Sequence, residues 1–326
     1  MNYIVLFISK AINQALIMLF GANGEILTEK SGNLNLGVPG IMYVGGISGL
    51  IGAFLYEKNA AVPVAVVGLI ISLVCSLIGS GLAALLYSFL TITLRANQNV
   101  TGLALTTFGV GFGNFFGGSL SKLAGGVGQI SVPVTSGAYQ AAIPGLKDIP
   151  VLGELFFARG WMFYAALIIT FVLSYFLKRT RQGLNLRAVG ENPATADAAG
   201  INVARYKYIS TIVGGMISGL GGLYFVMDFS GGTWTNNGFG ENGWLAVALV
   251  IFAMWKPLNA LWASVVFGAL CILFLYISGM DAHQTQLIKM LPYLITIIVL
   301  VVTSLRKKRE YQPPAHLGLP YFREER

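Results

Sequence analysis

From residue 62 to residue 94 the chain carries no charged side chain. A bilayer crossing needs about 20 predominantly apolar residues, so this run commits part of the chain to a membrane interior. Further apolar runs cover roughly residues 3–26, 31–55, 99–118, 160–177, 207–228, 243–256, 257–278 and 286–305. Charged residues make up only 10% of the 326, where soluble domains carry about a quarter, and the mean hydropathy is +0.71. The chain therefore predicts an all-α, polytopic integral membrane protein of about eight to ten spans. The count depends on whether 62–94 is one tilted helix or two short ones. The 41 glycines fit membrane helices that approach closely. Residues 1–326 read as a single transmembrane domain. The first run lacks an early basic cluster and an A-x-A cleavage pattern, so it reads as a span and not as a removable signal peptide.

The polar stretches set the topology. Between two apolar runs, residues 178–207 place Lys178, Arg179, Arg181, Arg187, Arg205 and Lys207 against Glu191 and Asp197, a net charge of +4. Short basic loops face the cytoplasm. The tail, 305–326, opens on Arg306, Lys307, Lys308 and Arg309 and is assigned to the same side. Residues 119–159 carry a net charge of only +1 and read as an external loop with room for short helices. Four spans between central loop and tail put a cytoplasmic turn near Lys256 and Pro257. Strict counting places the N-terminus outside, and splitting 62–94 would place it inside. The overall charge of +8 follows this positive-inside pattern, so it does not point to nucleic acid.

Within the central loop, Asn192 is placed to cap a helix with Pro193 at its first position. ATADAA continues it, and Gly200 stops it. Six or seven helical residues are unstable alone in water. The helix needs a partner surface, or it packs on its own spans. Elsewhere, Gly37, Pro39 and Gly40 break the start of the second run, which membranes tolerate only where backbone is buried in protein or lines a cavity. GVPGIMYVGG at 37–46 resembles GENGWLAVAL at 240–249, and the two enter from opposite sides, as an inverted repeat would.

GENPATADAAGI, residues 190–201, resembles the cytoplasmic coupling loop of permease subunits of bacterial ABC importers, in particular the branched-chain amino acid, ribose and nucleoside permease superfamily. GEILTEKSGNLNLGVPGIMYVGG at 24–46 and RANQNVTGLAL at 95–105 are similar to its nucleoside, guanosine-type branch. The similarity runs from about residue 20 to 305. It implies a type II importer-like fold with broken helices in the bacterial inner membrane, and a purine nucleoside as substrate. It also implies a second, related permease, and an extracellular lipoprotein that delivers the substrate. Separate ATPase subunits, which hold the ATP and Mg, would dock on Gly190, Glu191, Asn192, Pro193, Ala194, Asp197, Ala199 and Gly200. This chain has no G-x-x-x-x-G-K-[ST] phosphate loop, so it is not expected to hydrolyse ATP itself. The same superfamily leaves sugars and branched-chain amino acids as alternatives. The alternative of another class is a stand-alone secondary transporter, which requires intramembrane acids.

An uncharged nucleoside calls for small polar groups and aromatic faces along its path. Asn99, Thr106 and Asn114 are spaced 7 and 8 apart, on one helical face, with Thr107 beside them. Asn35, in the broken second run, and Trp234, in a Gly/Asn-rich segment that reads as an external gate or docking surface, complete the candidate set. Each polar residue can equally bond neighbouring helices. Glu25, near a span end, is a functional candidate or a solvated cap. Gly113 with Gly117 and Gly215 with Gly219 read as helix contacts. The two cysteines and two histidines suggest no disulfide or metal framework, and no nucleophile is paired with a base.

Overall fold

The computed structural model describes residues 3–123, 130–142, 145, 149–277, 279–306 and 312–323. Parts of the expected external loop (124–129, 143–144, 146–148) and the tail cations Lys307, Lys308 and Arg309 lie outside the described residues. The described chain is helical. The first helices are α1 (Tyr3–Glu29), α2 (Val38–Asn59), α3 (Ala65–Ser88, continued by a π-turn over Phe89–Thr93), α4 (Gln98–Leu123) and α5 (Pro133–Tyr139). Then follow α6 (Trp161–Arg179), α7 (Arg181–Glu191), α8 (Pro193–Ala198), α9 (Val203–Tyr224), α10 (Asn242–Phe252), α11 (Pro257–Ile272), α12 (Ala282–Lys289) and α13 (Leu291–Arg306). One isolated bridge, Ser131 with Thr233, is the β-pairing among the described residues.

Seven stretches are long and apolar enough to cross a membrane: 3–29, 38–59, 65–93, 161–179, 203–229, 257–275 and 282–302. The run from 62 to 94 is thus one helix. α4 has the length, 26 residues, but its Thr, Gly and Asn content keeps it out of that set. α10 is a correction. The expected span at 243–256 is a helix of 11 residues, about 16 Å at 1.5 Å per residue, or half the ~30 Å hydrocarbon core.

α1 is the axis of the bundle. Every residue from Ala15 to Glu29 is buried, because α9, α10, α11 and α6 cover it. A helix apolar on all faces has no other stable place. Glycine lets the neighbours close in. A methyl group on Gly45 of α2 would come within 2.6 Å of the Gly219 backbone of α9, and Gly215 lies against Ala84 of α3. These are the helix contacts expected of Gly215 and Gly219. Gly113 and Gly117 instead seat the Trp234 ring.

One end of the bundle is basic. Lys30, Lys178, Arg187, Lys256 and Glu191 surround a cavity of about 420 Å³, and Arg95, Lys207, Arg323 and Asp197 line another of about 410 Å³. At the opposite end the Tyr3 hydroxyl donates to the Tyr276 carbonyl at 3.1 Å. α1 therefore starts away from the basic end and finishes on it. The chain thus starts at the end opposite its tail.

Candidate functional site

The segment 178–207 is almost entirely helical. The sequence reading missed α7, whose Gly183, Leu186, Val189 and Gly190 are buried. Its cap is Thr180, whose hydroxyl accepts from the Gly183 amide at 3.0 Å. The apolar spacing was legible, but Arg181 and Arg187 let the stretch pass for part of a basic loop. α8 forms where the sequence places it. Asn192 Oδ1 accepts from the Thr195 amide at 3.0 Å, Pro193 takes the first turn, and Gly200, at φ +81°, turns the chain out. The Ile201 amide closes back on the Ala196 carbonyl at 3.0 Å. α8 buries Pro193 and Ala196 and exposes Thr195, Ala198, Ala199 and Gly200, with Ala194 half-exposed. Small side chains on a rigid turn are a shape that a cleft can receive.

The tail holds α8 from behind. Ala196 packs with Val189 and Val203 against Tyr321. Tyr321 Oη donates to Asp197 Oδ2 at 3.0 Å, and Arg323 Nε lies 3.2 Å from the same oxygen. The His316 amide donates to the Gly190 carbonyl at 3.0 Å, and Gly318 donates to Gly32 at 3.2 Å. The guanidinium of Arg95 stacks on the Phe322 ring with 4.5 Å to its centroid. Nothing in the sequence pattern signalled this contact.

Residues 33–37 form a second focus. They pass as non-helical backbone through the interior, and side chains from three helices satisfy them. Gln98 Oε1 accepts from the Leu34 amide at 2.7 Å, and the Tyr87 hydroxyl donates to the Leu34 carbonyl. Glu25 Oε1 accepts from the Asn35 amide at 2.8 Å. Thr106 Oγ1 donates to the Leu36 carbonyl at 2.8 Å. Asn35 Oδ1 accepts from the Gly37 amide at 2.9 Å, a local turn just ahead of α2. Broken backbone here is buried in protein.

α2 consequently begins inside the bundle, and α10 begins beside it. A methyl group on Gly243 would lie 2.6 Å from Pro39 Cα, and one on Gly21 of α1 would lie 2.7 Å from Ala246 Cβ. α10 runs toward the basic end, where Trp255 Nε1 donates to Glu29 Oε2; α2 runs away from it. The two matched segments, 37–46 and 240–249, thus meet in opposite directions.

The proposed pathway residues do not converge. Asn35 and Thr106 belong to the buried segment. Asn114 Nδ2 donates to Asn237 Oδ1 at 2.8 Å. Trp234 is 4% exposed, edge-on to Tyr43 with centroids 6.1 Å apart, while Thr235, Asn236 and Asn237 after it are exposed. Asn99 and Thr107 are exposed, together with Leu103, Phe108 and Phe115 on the uncovered face of α4. The buried acids are also more numerous than the sequence suggested. Glu25 and Glu29 are 1% and 3% exposed, and Asp228 lines a cavity of about 370 Å³ with Arg159 at the end opposite the basic one. Arg159 Nη2 donates to the Ser9 carbonyl at 3.1 Å. At the basic end, burial lowers the pKa of Lys30, a shift that Glu191 opposes and Arg187 reinforces. Among the described residues no cluster of His, Cys, Asp and Glu could hold a metal ion.

Comparison with known proteins agrees with this architecture. Residues 7–300 match the family model described as branched-chain amino acid transport system, permease component. The chain is 32% identical to a putative glucose ABC transporter permease of Haloferax volcanii, over 99% of each chain. It is 30% identical to a guanosine ABC transporter permease of Bacillus subtilis, over 95% of this chain and 94% of the relative. It is 28% identical to a nucleoside ABC transporter permease of Lactococcus lactis, over 92% and 93%. The protein is a multi-pass integral membrane protein that belongs to the branched-chain amino acid transport system permease family, and it is the permease component of an ABC transporter.

Proposed function

We propose that this permease imports nucleosides, of the purine, guanosine type, across a bacterial cytoplasmic membrane, driven by ATPase subunits that dock on α8. The basic end faces the cytoplasm. A second, related permease completes the pathway, and an extracellular lipoprotein delivers the substrate. The observation that carries the reading is α8: a six-residue helix, too short to persist alone, capped, braced by the tail, and bare on its small-residue face. ATPase closure would move this rigid turn, and with it α7 and α9, as a two-state rigid-body switch. We place the pathway along the uncovered face of α4 that bears Asn99 and Thr107, opposite the second permease. Glu25 and Glu29 are engaged by the Asn35 amide and the Trp255 indole, which supports a packing role for these two carboxylates.

The permeases of Bacillus subtilis and Lactococcus lactis support nucleosides, and the Haloferax volcanii relative favours a sugar as second reading. Competition decides between them. In the reconstituted complex, uptake of labelled guanosine should be suppressed by unlabelled adenosine and unaffected by glucose or leucine. Glucose uptake without guanosine uptake would replace the first reading by the second.

A further inference from the structure

A cleft of about 920 Å³ lies between α6 and α9. Its floor is Leu27 of α1, and its walls are Val172 and Phe176 on one side and Ile209 and Val213 on the other. Val172, Ile209 and Val213 are 58%, 51% and 40% exposed. They lie in the last two turns of α6 and the second and third turns of α9, so the walls sit at the depth of one leaflet, next to the basic end. α7 roofs the cleft. Arg181, Gln182 and Arg205, all exposed, line it together with Asn185, whose Nδ2 donates to the Tyr206 hydroxyl at 3.1 Å. No acidic side chain lines the cleft.

We propose that the cleft binds an anionic glycerophospholipid. An acyl chain lies along the four apolar wall residues and gains van der Waals contact with them. The headgroup phosphate lies between Arg181 and Arg205, as basic pockets between membrane helices at this level accept anionic headgroups. A neutral, zwitterionic lipid fills the same walls but leaves the two cations without a net counter-charge. The backbone from Ala199 to Asn202 also lines the cleft, so the occupant sits directly behind α8 and steadies the turn that α8 projects. This inference stands independently of the transported substrate.

The test uses the assembled transporter, delipidated in neutral detergent and titrated with phosphatidylglycerol or phosphatidylcholine, with bound lipid counted by native mass spectrometry. Phosphatidylglycerol should bind preferentially. Arg181→Gln with Arg205→Gln should weaken it roughly 25-fold without changing phosphatidylcholine binding. Ile209→Trp, which fills the cleft and keeps both arginines, should lower the number of bound phosphatidylglycerol molecules. Equal binding of the two lipids, or a double variant that binds as the parent does, overturns the proposal. So does a cysteine at Val213 that cross-links efficiently to the second permease, because the cleft would then be a subunit interface.

Discussion

Tyr321 and Asp197, 124 positions apart, share a hydrogen bond of 3.0 Å from the tyrosine hydroxyl to the carboxylate. It ties the end of the chain to a helix that could not stand alone. Losing one such bond costs about 1 kcal/mol, while Arg323, 74% exposed, adds little. Tyr321→Phe should therefore speed hydrogen exchange of the α8 amides about fivefold and leave α1 and α9 unchanged. Unaltered exchange in α8 would mean the tail rests on the helix without supporting it.

Thr106 and Thr107 should separate cleanly. Thr106→Val leaves the part-buried Leu36 carbonyl without this donor, at a cost of about 1 kcal/mol, and should lower thermal stability in detergent while KM for uptake stays near the parent value. Thr107 bonds only its own helix, to the Leu103 carbonyl at 3.1 Å. Thr107→Val should keep stability and, if α4 faces the pathway, change KM. The reverse pattern would exchange their roles.

Gly243→Ala pushes a methyl group against Pro39, where the nearest atoms are backbone and ring carbons at 2.6 Å. Neither can rotate away, so the crossing of α2 and α10 must open, at a cost of about 1–3 kcal/mol. Gly111→Ala meets nothing within 4 Å and should be neutral or slightly stabilising. Expression and melting of the pair, compared in one detergent, test the crossing.

Tail docking should depend on pH. Burial, aided by the Lys207 ammonium, holds His316 below its ordinary value of 6.5, so the released tail binds a proton more readily than the docked one. The docked state is fully favoured above that value and loses stability as pH falls through 6.5 toward the docked value. Limited proteolysis within residues 312–323 should be faster at pH 5.5 than at pH 7.5, and His316→Gln should flatten the difference.

Local chemistry was the legible part of this protein. Asn192, Pro193 and Gly200 specify α8 because caps act over three or four residues, and the run 62–94 specifies a span because the bilayer reads only hydropathy. The broken backbone after Gly32 was also foreseeable, from Gly37 and Pro39. What satisfies that backbone was not. Gln98, Tyr87 and Thr106 come from other helices, and no periodicity records which carbonyl a hydroxyl will meet. Thr106 and Thr107 are adjacent polar residues in sequence and sit on opposite sides of a packing interface. α7 stayed hidden because Arg181 and Arg187 let its stretch pass for part of a basic loop, and α10 because hydropathy cannot tell half a crossing from a whole one.

The central claim is that α8 transmits force from a separate ATPase. Proteoliposomes containing the complete complex should show nucleoside-stimulated ATP hydrolysis and uptake. Asn192→Ala with Pro193→Gly, which removes a cap worth about 1 kcal/mol and the rigid first turn, should leave the complex assembled and abolish the stimulation. Uptake by this chain reconstituted without any ATPase, or full stimulation in the α8 double variant, would contradict the account.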